Sequence, residues 1–307
     1  MTSKRCGYNA HGHDVADGKD AEVLQVVISP AKQMRVDADA FAPRGIPPFP
    51  LKTERIVREL RSIRRERGDE GLRELWRVND KLLDENVERL REFASVMDGD
   101  DLRAAAVSRA VGPAITSYVG IQYRSMAPEV LDAHALEWLQ RHLWILSALY
   151  GCVRPFDAVQ PYRLEMAAKL QVDGAKDLYG FWGGDIASAI CGSAASRRPG
   201  APDGREPSAE DIVVVNLASV EYSKAVLPYL SECASHVTVV FGEDLRAGKP
   251  VQRATASKIA RGSMVRWMAE NAVARVDELE RFDIGYAFDP GLSSRDANHG
   301  TLVFMRL

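Results

Sequence analysis

The stretch EVLQVVI at residues 22–28 runs directly into SPAK at residues 29–32, and these two segments indicate the fold most clearly. The first is short, apolar and rich in β-branched residues, which is typical of a buried strand, and Pro30 ends it. The stretch IVVVN at residues 212–216 repeats the pattern and is followed by LAS at residues 217–219. We therefore predict two buried strands, each ending in a polar turn.

Periodic segments elsewhere predict helices around these strands. Apolar residues recur at helical spacing in five segments, namely 52–66, 69–76, 81–93, 135–150 and 263–273. We expect Gly68 to end the first of these helices and Gly151 to provide the C-cap of the fourth. Two further strands are predicted at residues 237–241 and 301–306. With 307 residues and 46% hydrophobic content, the chain fits one large mixed domain.

Two segments stand apart from this pattern. Residues 1–21 are polar and lack periodicity, so we predict a disordered N-terminal extension and a domain spanning residues 22–307. The stretch SRRPGAPDGREPS at residues 196–208 has the composition of a loop, and we interpret it as an insertion within the domain.

Charge and hydropathy narrow the choice of compartment and partner. Forty basic residues against 43 acidic ones give a net charge of −3, so phosphate contacts require a local basic patch. No apolar run approaches the roughly 20 residues of a membrane span, and no secretory signal opens the chain. We therefore expect a cytoplasmic protein with no membrane partner.

The cysteines do not suggest a cross-linked or metal-binding framework. No CxxC pair occurs, and the four cysteines are widely spaced, at Cys6, Cys152, Cys191 and Cys233. We predict reduced thiols rather than disulfides, and we expect no metal site and no cofactor.

Polar residues follow both predicted strands at the point where each one ends. Lys32 comes after the first strand, while Asn216 closes the second and Lys224 lies a little further on. Ligands in open α/β sheets bind at the carboxyl ends of strands, and a lysine there can hold an anion. The alternative is a pair of strand-to-helix turns with Ser219 as an N-cap.

Two further clusters combine cations with loops or helix ends. Residues 150–166 contain Arg154 and Arg163 beside aromatic residues and Glu165, an arrangement that suits phosphate-bearing partners. An arginine–glutamate bridge that ties the loop to the core is the alternative. Lys258 and Arg261 precede a predicted helix, whose N-terminal amides could help to bind phosphate, although a solvated turn explains them equally well.

Several of these segments together resemble the YaaA family of peroxide-stress proteins. The matching pieces span residues 23–307 in the family's order, and they are ISPAKQM at 28–34, LWRVNDKL at 75–82, AITSYVGIQYRSMAP at 114–128, HLWILSALYGCVRPFDAVQPYRLEM at 142–166, KDLYGFW at 176–182, VVVNLASVEYSK at 214–224 and SKIARGSMVRWMAEN at 257–271. The resemblance implies an α+β fold in which a mixed β-sheet is surrounded by helices in a single large domain.

The same resemblance implies resistance to hydrogen peroxide, lower free intracellular iron, and DNA binding through a helix-hairpin-helix element and a basic cleft. Residues 69–93, with a tight connection at residues 77–80, have the shape of such a hairpin but lack its glycines. We expect the DNA, duplex or damaged, to contact a cleft formed by seven cations: Lys32, Lys81, Arg154, Arg163, Lys224, Lys258 and Arg261.

A competing hypothesis is an enzyme that acts on a small phosphorylated or nucleoside-like molecule, which would be a small anionic ligand. Its candidate catalytic residues are Lys32, Glu165 and Asn216, with Glu165 as the proton carrier. Direct iron sequestration is a third hypothesis, and the scattered histidines argue against it because iron needs several converging ligands.

Overall fold

The computed structural model of the protein describes residues 22–37, 40–195, 211–296 and 298–307. The predicted N-terminal extension 1–21 and the predicted insertion 196–208 lie outside these residues. Within the described part, the fold is a mixed sheet of eight strands surrounded by helices, which confirms the predicted α+β class.

The strands of the main sheet come from both ends and the middle of the chain. They are β1 (Val23–Ile28), β5 (Leu143–Ser147), β6 (Gly151–Val153), β8 (Ile212–Asn216), β9 (Ser235–Gly242), β12 (Tyr286–Phe288), β13 (Ser294–Arg295) and β14 (His299–Arg306). Their order is β12-β14-β9-β8-β1-β5-β6, with β13 pairing to β14. Three two-stranded ribbons pair β2 (Gln33–Met34) with β4 (Tyr118–Val119), β3 (Gly112–Pro113) with β7 (Ala158–Val159), and β10 (Asp244–Arg246) with β11 (Lys249–Val251).

The helices pack around this sheet. They are α1 (Pro50–Trp76), α2 (Asp80–Glu92), α3 (Ala105–Ser108), α4 (Ala114–Ser117), α5 (Ile121–Met126), α6 (Ala133–His142), α7 (Leu178–Trp182), α8 (Asp185–Ala195), α9 (Val220–Ser223) and α10 (Ala254–Glu270). Short 3-10 turns occupy Asp101–Arg103, Pro128–Val130, Leu227–Tyr229 and Val276–Arg281. In the described chain, no helix is both long enough and apolar enough to cross a membrane.

Strand β1 lies in the middle of the sheet and is parallel to both of its neighbours. Val26 pairs with Leu143 of β5 on one side, and Val27 pairs with Asn216 of β8 on the other. After Val23, the apolar side chains of β1 are almost completely buried, as a strand covered on both faces requires. Because β1 and β8 run in the same direction, the residues after Ile28 and after Asn216 emerge at one edge of the sheet.

The predicted helix 135–150 is wrong in its second half. The helix ends at His142, and Leu143–Ser147 forms strand β5 beside β1. The run of buried residues from Leu143 to Ser147 suits a central strand as well as a helix, so periodicity could not separate the two. Gly151 does have a left-handed φ of 75°, but it begins strand β6 and caps no helix.

Two other helix predictions need adjustment. The predicted helices 52–66 and 69–76 form the two halves of α1, and Gly68, with φ of 65°, produces a kink between them. Helix α10 begins at Ala254, about two and a half turns earlier than predicted. The apolar pattern did not indicate this early part, because its apolar stripe is weak. Lys258 and Arg261 therefore lie inside this helix and not in a turn before it.

The prediction of reduced cysteines is wrong for two of the four. Cys191 near the end of α8 and Cys233 just before β9 form a disulfide, with their Cα atoms 6.0 Å apart. The two residues are separated by 42 positions in the chain, and only the packing of α8 against the sheet brings them together. Cys152 is a buried free thiol, and Cys6 lies outside the described residues.

Candidate functional site

A cavity of about 480 Å³ opens at the carboxyl ends of β1 and β8. Five segments that are distant along the chain line it. These are residues 29–33 after β1, residues 119–123 at the start of α5, residues 163–165, residues 219 and 221–222 after β8, and Lys258 and Arg261 of α10. The cavity therefore lies where parallel sheets commonly bind ligands.

Ser29 holds the floor of this cavity together. Its hydroxyl accepts a hydrogen bond from the backbone N–H of Ser219 at 2.8 Å and donates one to the Ser219 hydroxyl at 3.1 Å. Its carbonyl accepts from the Tyr123 hydroxyl at 3.0 Å and from the Gln122 amide at 3.3 Å. One serine thus connects the ends of β1 and β8 with α5. Ser219 occupies the N-cap position of α9, as the alternative interpretation predicts, but its side chain makes no capping hydrogen bond and is bonded to Ser29 instead.

Three charged side chains form an ion cluster on one wall. Lys32 Nζ lies 2.8 Å from Glu165 Oε1, and Arg163 Nη2 lies 2.9 Å from the same oxygen. Arg163 Nη1 also donates to the Lys32 carbonyl at 3.2 Å. The Arg163 side chain is 12% exposed and the Lys32 side chain 66%, so the arginine lies inside the wall and the lysine lies toward solvent. Both cations share a single carboxylate oxygen.

Arg261 is the least compensated charge in the cavity. Among the described residues it has no ion-pair or hydrogen-bond partner, and its Nε is buried without an acceptor. Burial lowers the pKa of Arg261, although a guanidinium retains its proton in proteins. The Nε of Arg163 is likewise buried without an acceptor in the described chain. A buried cation without a counter-ion is costly, so the cavity is suited to an anion.

Two tyrosines complete the inner wall and remain neutral. Burial raises the pKa of Tyr123 and of Tyr222 well above the usual value of 10. Glu221 is held in place because one of its oxygens accepts a hydrogen bond from the backbone N–H of Ala167 at 3.0 Å. Apolar side chains such as Ala31 and Ile121 supply much of the remaining surface.

The structure brings together five of the predicted site residues and leaves four outside. Lys32, Arg163, Glu165, Lys258 and Arg261 line the cavity, while Lys81, Arg154, Lys224 and Asn216 do not. Lys81 and Lys224 are exposed on α2 and directly after α9. The functional role of each of these residues stays a prediction.

Arg154 and Asn216 make contacts within the fold. The Arg154 guanidinium stacks over the Trp144 ring at 3.6 Å and donates to the Ser193 hydroxyl at 2.8 Å. The Asn216 side chain donates to Thr238 at 3.2 Å and accepts from the backbone of Ala218 at 3.0 Å. The contacts of Arg154 connect the residue after β6 with β5 and α8, and those of Asn216 connect β8 with β9.

Sequence reasoning missed the hydroxyl-bearing and amide-bearing members of the site. Gln122, Tyr123 and Tyr222 were not singled out, because no periodic pattern or spacing distinguishes them from core residues. The only signal was their position inside the stretches SYVGIQY at 117–123 and SVEYSK at 219–224, which belong to the motifs of the family resemblance.

Metal ligands do not converge in the described part of the chain. No group of three or more histidine, cysteine, aspartate or glutamate side chains there has the arrangement to hold a metal ion. Helices α1 and α2 form a hairpin, joined by residues 77–79. Asn79 is the N-cap of α2, and its side-chain oxygen accepts a hydrogen bond from the Leu82 N–H at 3.1 Å. The hairpin does not line the cavity.

The fold and the cavity define a mixed α+β protein with a cation-lined cavity at the ends of its central parallel strands. The sequence model of the family described as "Peroxide stress protein YaaA" matches residues 24–292. The chain therefore belongs to the YaaA family of peroxide stress proteins, as the motifs indicated.

Relatives of similar length support this membership. The chain is 37% identical to a UPF0246 protein of Desulfitobacterium hafniense over 284 residues, which cover 92% of this chain and 98% of the relative. It is 40% identical over 274 residues to a UPF0246 protein of Pediococcus pentosaceus, covering 89% and 96% of the two chains. A UPF0246 protein of Lachnoclostridium phytofermentans is 37% identical over 284 residues, covering 92% and 96%.

Proposed function

We propose that the cavity binds a small phosphate-bearing ligand about the size of a mononucleotide. Arg261 carries this proposal, because it lines the cavity as a largely buried cation that no carboxylate of the described chain neutralises. Arginine is well suited to phosphate, since its planar fork of N–H donors matches the phosphate oxygens.

The size and lining of the cavity agree with such a ligand. A volume of about 480 Å³ falls within the range of about 300–1,000 Å³ that is common for small-molecule sites. Ala31, Val119 and Ile121 provide an apolar surface beside the cations. A ligand with an anionic end and a planar or apolar body, such as a nucleotide, has both of the required features.

If the site is catalytic, Glu165 is the residue to carry the proton. Its Oε1 holds Lys32 and Arg163, whereas its Oε2 has no partner in the described structure. An ionised carboxylate with one free oxygen can accept a proton from a ligand while the neighbouring cations stabilise developing negative charge. Lys32 would act with it at the mouth, and Asn216 would have no direct part because it lies outside the cavity.

Calorimetric titration with inorganic phosphate and the four nucleoside 5′-monophosphates tests the proposal. We expect Arg261→Ala to weaken binding at least about tenfold, since a charge-assisted hydrogen bond contributes about 1.5–3 kcal/mol. Arg58→Ala is the matched control, because Arg58 is an exposed arginine of α1 away from the cavity. Absence of binding to the wild-type protein, or equal affinities for the wild type and Arg261→Ala, would refute the proposal.

DNA binding is the second candidate, and the exposed cations at the mouth favour it. Lys32 and Lys258 lie near solvent beside the buried arginines, so a DNA phosphate could approach them. Lys81 on the α1–α2 hairpin would be a separate contact. Binding of duplex and gapped DNA, measured at two salt concentrations, should weaken steeply as salt rises, and Lys32→Ala should reduce the slope. A flat response to salt would exclude this candidate.

We further propose that peroxide resistance and the level of free iron depend on the cavity. A strain that lacks the protein should survive hydrogen peroxide when it expresses the wild type or Arg58→Ala, and should not when it expresses Arg261→Ala at equal abundance. Free iron measured in the same cells should rise with the loss of survival. Full protection of the cells by Arg261→Ala would show that peroxide resistance does not depend on the cavity.

A further inference from the structure

The charges that line the cavity do not balance. Four cations contribute to its surface, and two carboxylates face them. The tyrosines add no negative charge, because burial raises the pKa of both Tyr123 and Tyr222. No histidine of the described chain lines the cavity. The lining therefore carries two more positive than negative charges at neutral pH.

The positions of the carboxylates show where this excess lies. Glu165 contacts Lys32 and Arg163, and Glu221 is engaged by the backbone of Ala167. Lys258 and Arg261 have no ion pair with any described carboxylate. They are three residues apart on α10, so their side chains extend from the same face of the helix, and both reach the cavity. Two uncompensated positive charges thus lie side by side.

We propose that the ligand is a phosphate monoester, and that Lys258 and Arg261 together select its doubly charged terminal phosphate over a phosphodiester. This inference rests on the proposed function. A terminal phosphate carries a charge near −2 above its second pKa of about 6, and it presents three free oxygens. A diester carries one negative charge and two free oxygens, so it leaves one of the two cations uncompensated.

The same chemistry can come from two sources, a free nucleotide or the phosphorylated end of a DNA strand. Internal DNA phosphates are diesters, so they lack the second negative charge and the third free oxygen that Lys258 and Arg261 are proposed to select. The proposal therefore predicts that, if DNA enters this cavity, it does so by its end.

The test compares nucleoside 5′-monophosphates with their 3′,5′-cyclic counterparts, which keep the base and sugar but are diesters. We expect the monoester to bind the wild-type protein at least about tenfold more tightly near pH 7.5. Lowering the pH to about 5.5 should weaken monoester binding about fourfold, because most of the ligand then carries only one charge. The cyclic diester is the control for this pH change: its own charge stays constant, so any change in its affinity between pH 7.5 and 5.5 comes from the protein. Equal affinities for monoester and diester would overturn the inference while leaving the cavity proposal intact, whereas binding of neither nucleotide and no inorganic phosphate would overturn both.

Lys258 is the exposed residue of the Lys258–Arg261 pair, and a variant of it measures how much it contributes to the preference for a monoester. Lys258→Gln should reduce the preference for the monoester at least about threefold while changing diester affinity little, because it removes one of the two uncompensated charges. Lys249→Gln on β11 is the control, since Lys249 is exposed and outside the cavity. An unchanged preference in Lys258→Gln would contradict the paired role of Lys258 and Arg261.

Oligonucleotides distinguish the two sources. A single-stranded oligonucleotide with a 5′-phosphate is compared with the same strand ending in a 5′-hydroxyl, and both compete against a nucleoside monophosphate. Competition by the phosphorylated end alone supports a DNA terminus as a ligand, and competition by neither strand assigns the site to free nucleotides. Equal competition by both strands would contradict the selection of a monoester.

Discussion

Gly262 allows α10 to approach α5 more closely than a side chain would permit. A Cβ atom at this position would lie 2.0 Å from the carbonyl oxygen of Gln122 and 3.0 Å from the Cβ of Ser125. The backbone of one helix therefore contacts the backbone of the other. Gly262 directly follows Arg261, and Gln122 lines the cavity, so this contact also sets the width of the site.

We expect Gly262→Ala to lower the free energy of unfolding by about 1–3 kcal/mol, because the helices must separate to make room for the methyl group. Ligand binding should weaken as well, since Arg261 moves with α10. Urea unfolding and calorimetric titration measure the two effects. Gly192→Ala on α8 is the control, because no atom of the described residues lies within 4 Å of the added Cβ, and it should leave the stability unchanged or slightly higher. A Gly262→Ala protein as stable as the wild type would contradict the close approach.

A single apolar segment of the chain forms helix α6 in its first part and strand β5 in its second part. The residues from Leu136 to Tyr150 have a helical pattern, yet the chain changes from helix to strand after His142. Strand β5 gains two partners, β1 in parallel and β6 in antiparallel orientation. Leu143, Ile145 and Leu146 are fully buried there. Long-range pairing with β1 thus overrides the local preference for a helix.

The α1–α2 hairpin depends on a local signal at its connection. Asn79 accepts a hydrogen bond from the Leu82 N–H at 3.1 Å, and Arg77 adopts a left-handed conformation that ends α1. Asn79→Ala should lower the free energy of unfolding by about 1 kcal/mol, because the first turn of α2 loses its cap. Asn79→Asp keeps an acceptor and should restore most of the loss. Urea unfolding of the three proteins provides the comparison, and equal midpoints would show that the cap does not matter.

The whole molecule is held together by contacts between distant parts of the chain. The central strand β1 near the N-terminus pairs with β5 and β8, and the last strand β14 pairs in parallel with β9. The cavity also depends on contacts between distant residues, because its five lining segments extend from residue 29 to residue 261. The site therefore forms only when the ends of β1 and β8 have come together with α5 and α10.

The Cys191–Cys233 disulfide closes a loop of 42 residues across this architecture. A loop of that length restricts the unfolded chain, so we expect reduction to lower the free energy of unfolding by about 2–4 kcal/mol. Urea unfolding with and without dithiothreitol measures the effect. The double variant Cys191→Ser and Cys233→Ser should behave like the reduced wild type and should not respond to the reductant. A wild-type midpoint that is the same in both conditions would argue against the bond.

The sequence alone determined the two buried strands at the centre of the sheet, the helical hairpin and the family. Each of these depends on local patterns, since Val23–Ile28 and Ile212–Asn216 are short runs rich in β-branched residues and the two helices of the hairpin meet at the short connection 77–79. Five of the nine site residues singled out from sequence reach the cavity. All nine lie within the family motifs, so motif membership does not separate the five from the other four.

The tertiary structure alone decided the rest. It showed that Arg261 lines the cavity without a described partner, whereas Arg154 stacks on Trp144. From the sequence, both were candidate anion-binding arginines within the family motifs. It also turned Leu143–Ser147 into a strand and paired Cys191 with Cys233. The physical reason is common to all three outcomes. Burial, strand and disulfide pairing, and the absence of a counter-ion all depend on which distant residues come into contact. A local sequence pattern carries no information about those contacts.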